Sequence, residues 1–571
     1  MFQEIIQKLI KQAIQKLPDF STSEVLEIQL DRPTESSHGD YATNVALVLA
    51  KKIGKNPRTL AEEIISLLVK ETIFEKVEVA GPGFINFFIA RKVLFEELQK
   101  VLQQKKNYGR STAQKSKKII VEFTDPNPLK EFHVGHLYSN AVGESLCRLL
   151  EALGATVKRA NYQGDIGLHV AKAVWGYQEL EKEHPEFQAT SVKDWALGYV
   201  FGAQKYEEEE GAKAEINDIN KRLYAKSDKK LFALYQHGRR CSLEYFEAIY
   251  RRLGMKFDYY FFESEVMTKG KEIVQEGLEK GIFQESQGAV IFPGEQYGLH
   301  SRVFINSQKL PTYEAKELGL AVTKYKKYKY DKSIVLTGNE INEYFKVLLT
   351  AIGALFPEIA SKTTHIGHGM VRLPEGKMSS RTGKVIAGDA LLNDVKEKVS
   401  LMDSLEKVLP KEKDAIAEKI TMGAVKYAFL KSNIGQDIIF DAEKSLAIKG
   451  NSGPYLQYAV VRCKSVLKKA GVRITKPKAE QIISEEEVLV LRMLFRFPEI
   501  VQEAAEKLAP NIICNFAFDL AQQYNTFYDK QPILKVEDKE IKNFRLLLTA
   551  ATKQVLENAL CLLGIEVPER M

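Results

Sequence analysis

The chain has 571 residues, 45% of them apolar and 27% charged, which is ordinary globular usage and excludes a mainly disordered or collagen-like polypeptide. At about 100–200 residues per domain, this length predicts three or four domains rather than one core. Lys and Arg (82) exceed Asp and Glu (75) by seven, a weak basic field that permits an anionic partner without requiring one.

Along the first residues, Phe2, Ile5, Ile6, Leu9, Ile10, Ala13, Ile14 and Leu17 recur at helical spacing, with Glu4, Lys8, Lys11 and Lys16 on the other face. The pattern predicts a docked amphipathic helix, because charges interrupt every apolar block a targeting signal would need. An alternating strand over Val25–Leu30 follows, then two helical stretches, a strand at Val77–Ala80, a Gly81-Pro82-Gly83 turn and a strand at Phe84–Ile89. Residues 1–105 therefore read as an α+β domain, and the polar segment 105–118 as a linker.

From Lys118 the texture changes. Ile119-Ile120-Val121-Glu122-Phe123 is an apolar run of the buried parallel-strand kind. A Pro-containing loop, a helix from about His133 to Leu153, a strand at Val157–Asn161 and a turn at Gly164–Gly167 complete a βαβ unit. A charged helical insertion spans about 179–255. The β/α rhythm returns at Lys332–Leu336, with a helix over Ile341–Leu355 and a strand near His365–Leu373. The expected fold is thus multidomain α/β and α, with a Rossmann-like parallel-sheet domain over 112–395. Residues 396–571 are almost wholly helical and read as connecting helices and an all-α bundle.

The five cysteines, Cys147, Cys241, Cys463, Cys514 and Cys561, form no C-x-x-C pair, which argues against structural zinc or a disulfide framework and fits a reducing cytoplasmic setting. No segment approaches the ~18 apolar residues of a membrane span.

Two loops carry chemistry. The first, Asp125 to His136, follows a buried strand and opens a helix, where free N–H groups and the positive end of the helix dipole suit phosphate. Imidazoles there can donate to phosphate oxygens, and Gly135 leaves room for a base. His365-Ile366-Gly367-His368 spells the same four-letter pattern, but inside a predicted strand with no helix start behind it. Structural context therefore selects His133 and His136 and sets the second copy aside. The other loop is Gly376-Lys377-Met378-Ser379-Ser380-Arg381-Thr382-Gly383-Lys384, a basic, hydroxyl-rich stretch between glycines. Such a loop alone reads as a solvated turn. Paired at long range with the first, it suits closure over a triphosphate.

Together the loops resemble the H-x-G-H and K-M-S-K-S signatures of class I aminoacyl-tRNA synthetases. In finer detail the chain resembles the arginyl-tRNA synthetase family over nearly its whole length. Val121-Glu122-Phe123 through Leu137, the turn Gly164-Asp165-Ile166-Gly167, Gly39 to Asn44 near the N-terminus, Gly450 to Tyr458 and the ending Leu563 to Met571 all match it.

The resemblance implies attachment of L-arginine to its tRNA through arginyl-adenylate, with ATP accompanied by Mg2+, no membrane partner and a cytoplasmic monomer. It implies catalytic roles for His133, His136, Lys377 and Lys130, the last replacing the signature's second lysine, where Ser380 stands. ATP would be held by His133, Gly135, His136, Gly164, Asp165, Lys377, Met378, Ser379, Ser380 and Arg381. Arginine would meet Asn127, Tyr313, Glu317 and, with less weight, His169. The pair Tyr313 and Glu317 shares a helix face, with Glu317 one methylene longer than the family's Asp; an ordinary surface pair is the competing reading. Phe84 and Asn86 would contact the tRNA elbow, and Tyr455, Tyr458, Arg462 and Met571 the anticodon loop, where stacking aromatics and Arg read splayed bases; helix packing is the alternative for both tyrosines. The stripe Lys324 to Tyr330 is left unassigned, since it fits an RNA surface or a sheet edge equally. Other readings are another class I synthetase, disfavoured by the absence of zinc-ligand cysteines, a shorter nucleotidylyltransferase, disfavoured by the helical C-terminal part, and a catalytically silent RNA-binding scaffold, disfavoured by intact His133, His136 and Lys377.

Overall fold

The computed structural model describes residues 2–18, 20, 27–33, 35–68, 71–374, 386–402, 408–471 and 483–571. The chain divides into two compact units. One comprises Met1–Arg110, Ala459–Gln502 and Phe516–Ala559; the other comprises Ser111–Tyr458, Glu503–Asn515 and Leu560–Met571. Among the described residues no helix is long and apolar enough to cross a membrane.

The first unit opens with α1 (Phe2–Ile14), whose apolar stripe buries Ile6, Ile10, Ala13 and Ile14, as its 3.6-residue spacing dictates. Then come β1 (Tyr41–Thr43), α2 (Val45–Ile53), α3 (Pro57–Leu68), β2 (Phe74–Ala80), β3 (Phe84–Ile89) and α4 (Arg91–Gln104). The three strands form an antiparallel sheet in the order β1-β3-β2. Of the strand expected over 25–30, Val25 and Leu26 lie outside the described residues. Glu27–Leu30 joins no ladder, although Ile28 and Leu30 are buried and Glu27 and Gln29 exposed, so its alternation survives without a partner strand. Asp40 is buried: its carboxylate accepts from the Ile89 N–H at 2.8 Å and pairs with Arg492 at 3.2 Å. Tyr41 donates to Glu499 at 2.9 Å. These two residues of the Gly39–Asn44 motif therefore brace this unit internally.

The second unit contains β4 (Lys118–Glu122), α5 (Val134–Ala152), β5 (Thr156–Gln163), α6 (Leu168–Glu183), α7 (Val192–Glu208), α8 (Glu210–Ala225), α9 (Lys229–Arg252), β6 (Tyr259–Phe262) and α10 (Glu263–Glu279). A small antiparallel sheet of β7 (Gln284–Ser286), β8 (Ala289–Phe292) and β9 (Arg302–Ile305) precedes α11 (Tyr313–Lys327). Next are β10 (Lys332–Gly338), α12 (Asn342–Leu355), α13 (Pro357–Lys362), β11 (Thr363–His368), β12 (Val371–Arg372), α14 (Gly388–Ser400), α15 (Pro410–Leu430), β13 (Ile438–Ile439) and α16 (Ala442–Leu446). The last helices, α17 (Gly453–Ala470), α18 (Glu485–Glu506), α19 (Asn511–Lys530) and α20 (Lys539–Leu562), lie mostly in the first unit and account for the helical texture of the C-terminal part.

The central sheet has five strands in the order β11-β10-β4-β5-β6, every pair parallel. Ile119, Ile120 and Val121 are all buried because both sheet faces are covered, which is why their strand reads as a continuous apolar run. The helical insertion packs on this unit rather than standing off it. Trp195 on α7, Tyr235 on α9 and Leu129 of the first loop belong to one apolar cluster with Val170 and Val174 of α6. Gly238 permits this closure, since a Cβ there would lie 2.8 Å from Trp195 and 2.9 Å from Leu129.

Candidate active site

Neighbouring strands β4 and β10 lead away to opposite flanks of the sheet, and such a reversal opens a crevice beyond their carboxyl ends. The backbone leaving β4 is held in a rare conformation there, with φ of +80° at Thr124, +44° at Asp125 and +64° at Leu129. Fixed hydrogen bonds sustain it. Thr124 N–H donates to Ser139 Oγ at 2.9 Å, Asn140 Nδ2 to Thr124 Oγ1 at 3.0 Å, and Asn161 Nδ2 to the Phe123 carbonyl at 3.0 Å. Tyr162 N–H donates to Asp125 Oδ1 at 2.7 Å, and Leu129 N–H to Ser242 Oγ, on α9, at 2.8 Å.

Two cavities open at this point, of about 530 and about 450 Å3, and Asp125, Asn127, Thr337, Glu340 and Ile341 line both. The larger one is walled by His133, Gly135 and His136 at the start of α5. The two imidazoles stack with centroids 3.5 Å apart and planes 16° from parallel. A Cβ on residue 135 would lie 3.0 Å from the His133 ring, so glycine is what lets the imidazoles stack this way. The His133 backbone N–H donates to His136 Nδ1 at 3.1 Å, which leaves Nε2 as the protonated nitrogen of a neutral ring, available as a donor. Both rings are held neutral. Burial, then the Lys130 ammonium and His368, pushes His133 down to about 4; burial, then His133 and Lys130, holds His136 well below its ordinary value.

The second basic loop, with Lys377, Met378, Ser379, Ser380 and Arg381, lies outside the described residues, but its flanks meet the first loop. On one side Met370 and Val371 line the His133 cavity. On the other, Val134 N–H donates to the Ile386 carbonyl at 3.2 Å, Gly388 N–H to the Phe132 carbonyl, and His133 bridges Ala387. His365–His368 is strand, as expected, yet His368 lines the same cavity. The copy set aside on its strand context thus still delivers one imidazole, because the end of β11 reaches the crevice.

The smaller cavity is acidic. Glu122, Asp125, Glu263, Glu314, Glu317, Glu340 and Glu343 line it, and Arg302, paired with Glu314 at 3.0 Å, is the one cation among its lining residues. Asn127, Tyr313 and Glu317 all reach it, the last two from one face of α11. Burial first, then neighbouring Glu122, holds both Asp125 and Glu317 well above the usual carboxylate range. Glu263 is raised by burial to about 7 although Lys316, 2.6 Å away, opposes the shift. Glu122 in turn receives the buried Lys324 ammonium at 2.8 Å. Sequence reasoning missed Glu122, Asp125 and Glu263 as pocket residues; the available signal was a carboxylate embedded in an apolar strand, with a second one three residues later.

Three expected site residues fall elsewhere. Gly164 lines the acidic cavity rather than the histidine one, and a Cβ there would lie 2.4 Å from Asn127 Oδ1. Asp165 reaches neither cavity. It is fully buried, accepting from Tyr235 at 3.0 Å and from Ser264 N–H and Oγ at 2.9 and 2.7 Å, with Arg239 at 2.9 Å, so its oxygens brace the turn instead of facing either cavity. His169 also lines neither cavity. Its Nε2 lies 2.7 Å from the Gly164 carbonyl, and burial, then Lys130, pushes it down to about 3, so the neutral ring donates there and orients the turn. Lys130 stands near the His133 and His136 imidazoles, its ammonium 4.0 Å from the Tyr199 ring centroid.

The other predicted contacts line neither cavity. Phe84 is 40% exposed, whereas Asn86, in the middle of β3, is buried. Tyr455 and Tyr458 on α17 are half-buried, as is Met571. Arg462 donates to Asn525 at 2.7 Å and its guanidinium lies 4.9 Å from the Tyr528 ring.

Three family models match the chain: an arginyl tRNA synthetase N terminal domain over residues 4–89, the catalytic domain of tRNA synthetases class I (R) over 97–442, and a DALR anticodon binding domain over 456–571. The arginine–tRNA ligases of Clostridium acetobutylicum and Treponema denticola are each 32% identical, over 99% of this chain and 99% of theirs. Among solved structures, Thermus thermophilus arginyl-tRNA synthetase superposes with a TM-score of 0.83 at 23% identity, covering all of both chains. That of Plasmodium falciparum gives 0.81 at 21%, covering 100% of this chain and 99% of its own.

Proposed function

Because the chain belongs to the arginyl-tRNA synthetase family and is an arginine–tRNA ligase, consuming ATP, arginine and tRNA, we propose that its two adjoining cavities hold the two halves of arginyl-adenylate. The observation that carries this reading is the acidic cavity beside the paired histidines. A guanidinium stays cationic at every physiological pH and presents five N–H donors, and it is the side chain best matched to a nest of carboxylates.

In the first step an oxygen of the arginine carboxylate attacks the α-phosphorus of ATP. A C–O–P bond forms, the bond from the α-phosphorus to the bridging oxygen breaks, and pyrophosphate leaves. Asn127, on the wall common to both cavities, orients the amino-acid end. The Nε2–H of His136 and the ring of His133 donate to phosphate oxygens as negative charge shifts onto them, with the α5 N-terminus behind them. Lys130 supplies the nearby positive charge, and Lys377 with its loop receives the pyrophosphate; Mg2+ arriving with ATP would neutralise further phosphate charge. Glu317, Tyr313 and the neighbouring acids fix the guanidinium end. In the second step the 2′-hydroxyl of the terminal tRNA adenosine attacks the activated carbonyl, its proton leaves, and AMP departs. Positioning supplies most of the acceleration in both steps.

For tRNA, the exposed Phe84 ring offers a stacking surface, and the 455–462 segment with Met571 the anticodon contacts. Dispersed cysteines favour a reducing, cytoplasmic setting, and the family resemblance a monomer.

The test is a charging assay in which the purified chain receives ATP, tRNA and each proteinogenic amino acid in turn. Arginine alone should become acid-precipitable with the tRNA. Charging of any other amino acid, or none at all by folded protein, overturns the reading.

A further inference from the structure

Tyr162 sits on β5 with its ring in an apolar cluster that includes Ile120, Phe261, Val266 and Leu320. The side chain is 8% exposed, yet it lines the acidic cavity. Its hydroxyl has no hydrogen-bond partner among the described residues. Around it stand Glu263, Glu317, Tyr344 and Glu122, and burial together with those acids drives the phenol well above its ordinary titration range, so it keeps its proton. A buried polar atom without a partner is costly and persists where something else satisfies it. Three of the groups around it are carboxylates and none of them bonds to it, so its oxygen keeps two lone pairs for an N–H donor brought by a ligand.

We propose that the Tyr162 hydroxyl is a recognition group for the substrate, its oxygen accepting an N–H of the arginine guanidinium between the cavity carboxylates. The carboxylates select positive charge, which a lysine ammonium would also satisfy. A neutral acceptor set into the wall at a fixed place adds a demand for shape, met by a planar fork of N–H groups and poorly by a compact ammonium. The ring's apolar packing holds that oxygen in position.

This rests on the arginine reading of the cavity, so the parent chain is assayed first; if it does not charge arginine, that reading fails before Tyr162 is tested. With an active parent, Tyr162→Phe removes one oxygen and keeps the packing. The KM for arginine should rise about 10- to 100-fold, the size expected of one hydrogen bond to a charged group, while the KM for ATP moves less than about twofold. An unchanged arginine KM overturns the proposal, as does an equal rise in both constants. Should the variant fail to fold, 3-fluorotyrosine placed at 162 gives a second readout. Its 19F resonance should shift on saturation with arginine and stay in place with lysine; no shift with arginine overturns the proposal as well.

Discussion

The ammonium of Lys130 lies 4.0 Å from the centroid of the Tyr199 ring, joining the loop after β4 to helix α7 of the insertion. The ring face attracts the cation and limits where it can swing, and such contacts are worth about 0.5–2 kcal/mol. Lys130→Ala should lower adenylate formation, followed by pyrophosphate exchange in the presence of tRNA, by about 10²- to 10³-fold with tRNA affinity nearly intact. Tyr199→Leu should cost about 2- to 30-fold and add nothing further in the Lys130→Ala background. Equal losses in both backgrounds would show that the ring does not act through the lysine.

Glu317 carries the longer carboxylate where the family resemblance expects Asp. Glu317→Gln keeps its volume and removes its charge, so the arginine KM should rise at least about tenfold. Glu317→Asp retains the charge and should lose less. Arginine kinetics at fixed ATP and tRNA check both, and a Gln variant matching the parent would remove Glu317 from recognition.

With arginine in the acidic cavity, the crowding of Asp125, Glu122 and Glu317 should make its binding a proton-coupled event. Asp125 and Glu317 are held above the ordinary carboxylate range in the free protein, and Glu263 at about 7. An incoming guanidinium favours their ionised forms and must displace protons, so affinity rises with pH until the cluster is ionised. His133, at about 4, and the still neutral His136 do not titrate between about pH 5 and 8, which leaves the carboxylates as the source. Calorimetry of arginine binding in two buffers of different ionisation enthalpy should report net proton release near pH 7; zero release would refute the coupling.

The partners of the Asp165 carboxylate predict a contribution to stability rather than to ATP binding. Removing a buried carboxylate that holds Arg239, Tyr235 and Ser264 leaves their polar atoms unmatched. Asp165→Ala should cost about 3–5 kcal/mol in urea unfolding. Asp165→Asn should cost less, and in the folded enzyme leave the ATP KM unchanged. A large rise in that KM at full stability would return Asp165 to the nucleotide site.

Much of this architecture is written in local pattern. The apolar run ending at Phe123, the prolines after it and the helix behind His133 place the nucleotide loop, because strand, loop and helix start are each set by neighbours in sequence. The acidic cavity is not local. Tyr162 and Glu263 meet only because β5 and β6 pair in parallel, with Gln163 opposite Phe262, and no periodicity within either segment reports that register. The Lys324–Tyr330 stripe, which the sequence left open between an RNA surface and a sheet edge, needed the same long-range information. Lys324 turns inward to Glu122, and Tyr330 is 1% exposed, so alternation that looked like a surface is partly core. The sequence favoured one histidine motif over its twin on sound grounds, yet a strand's last residue can still arrive at the crevice, as His368 does.

Leu129, caught between Trp195 and Gly238 with its amide on Ser242, also sets a limit on engineering. The loop around it is not a cassette that can be lifted onto another parallel sheet by copying its letters, because part of its shape is stored in helices 66 to 113 residues downstream. A graft that omits residues 192–252 would transfer the histidines without the scaffold that aims them.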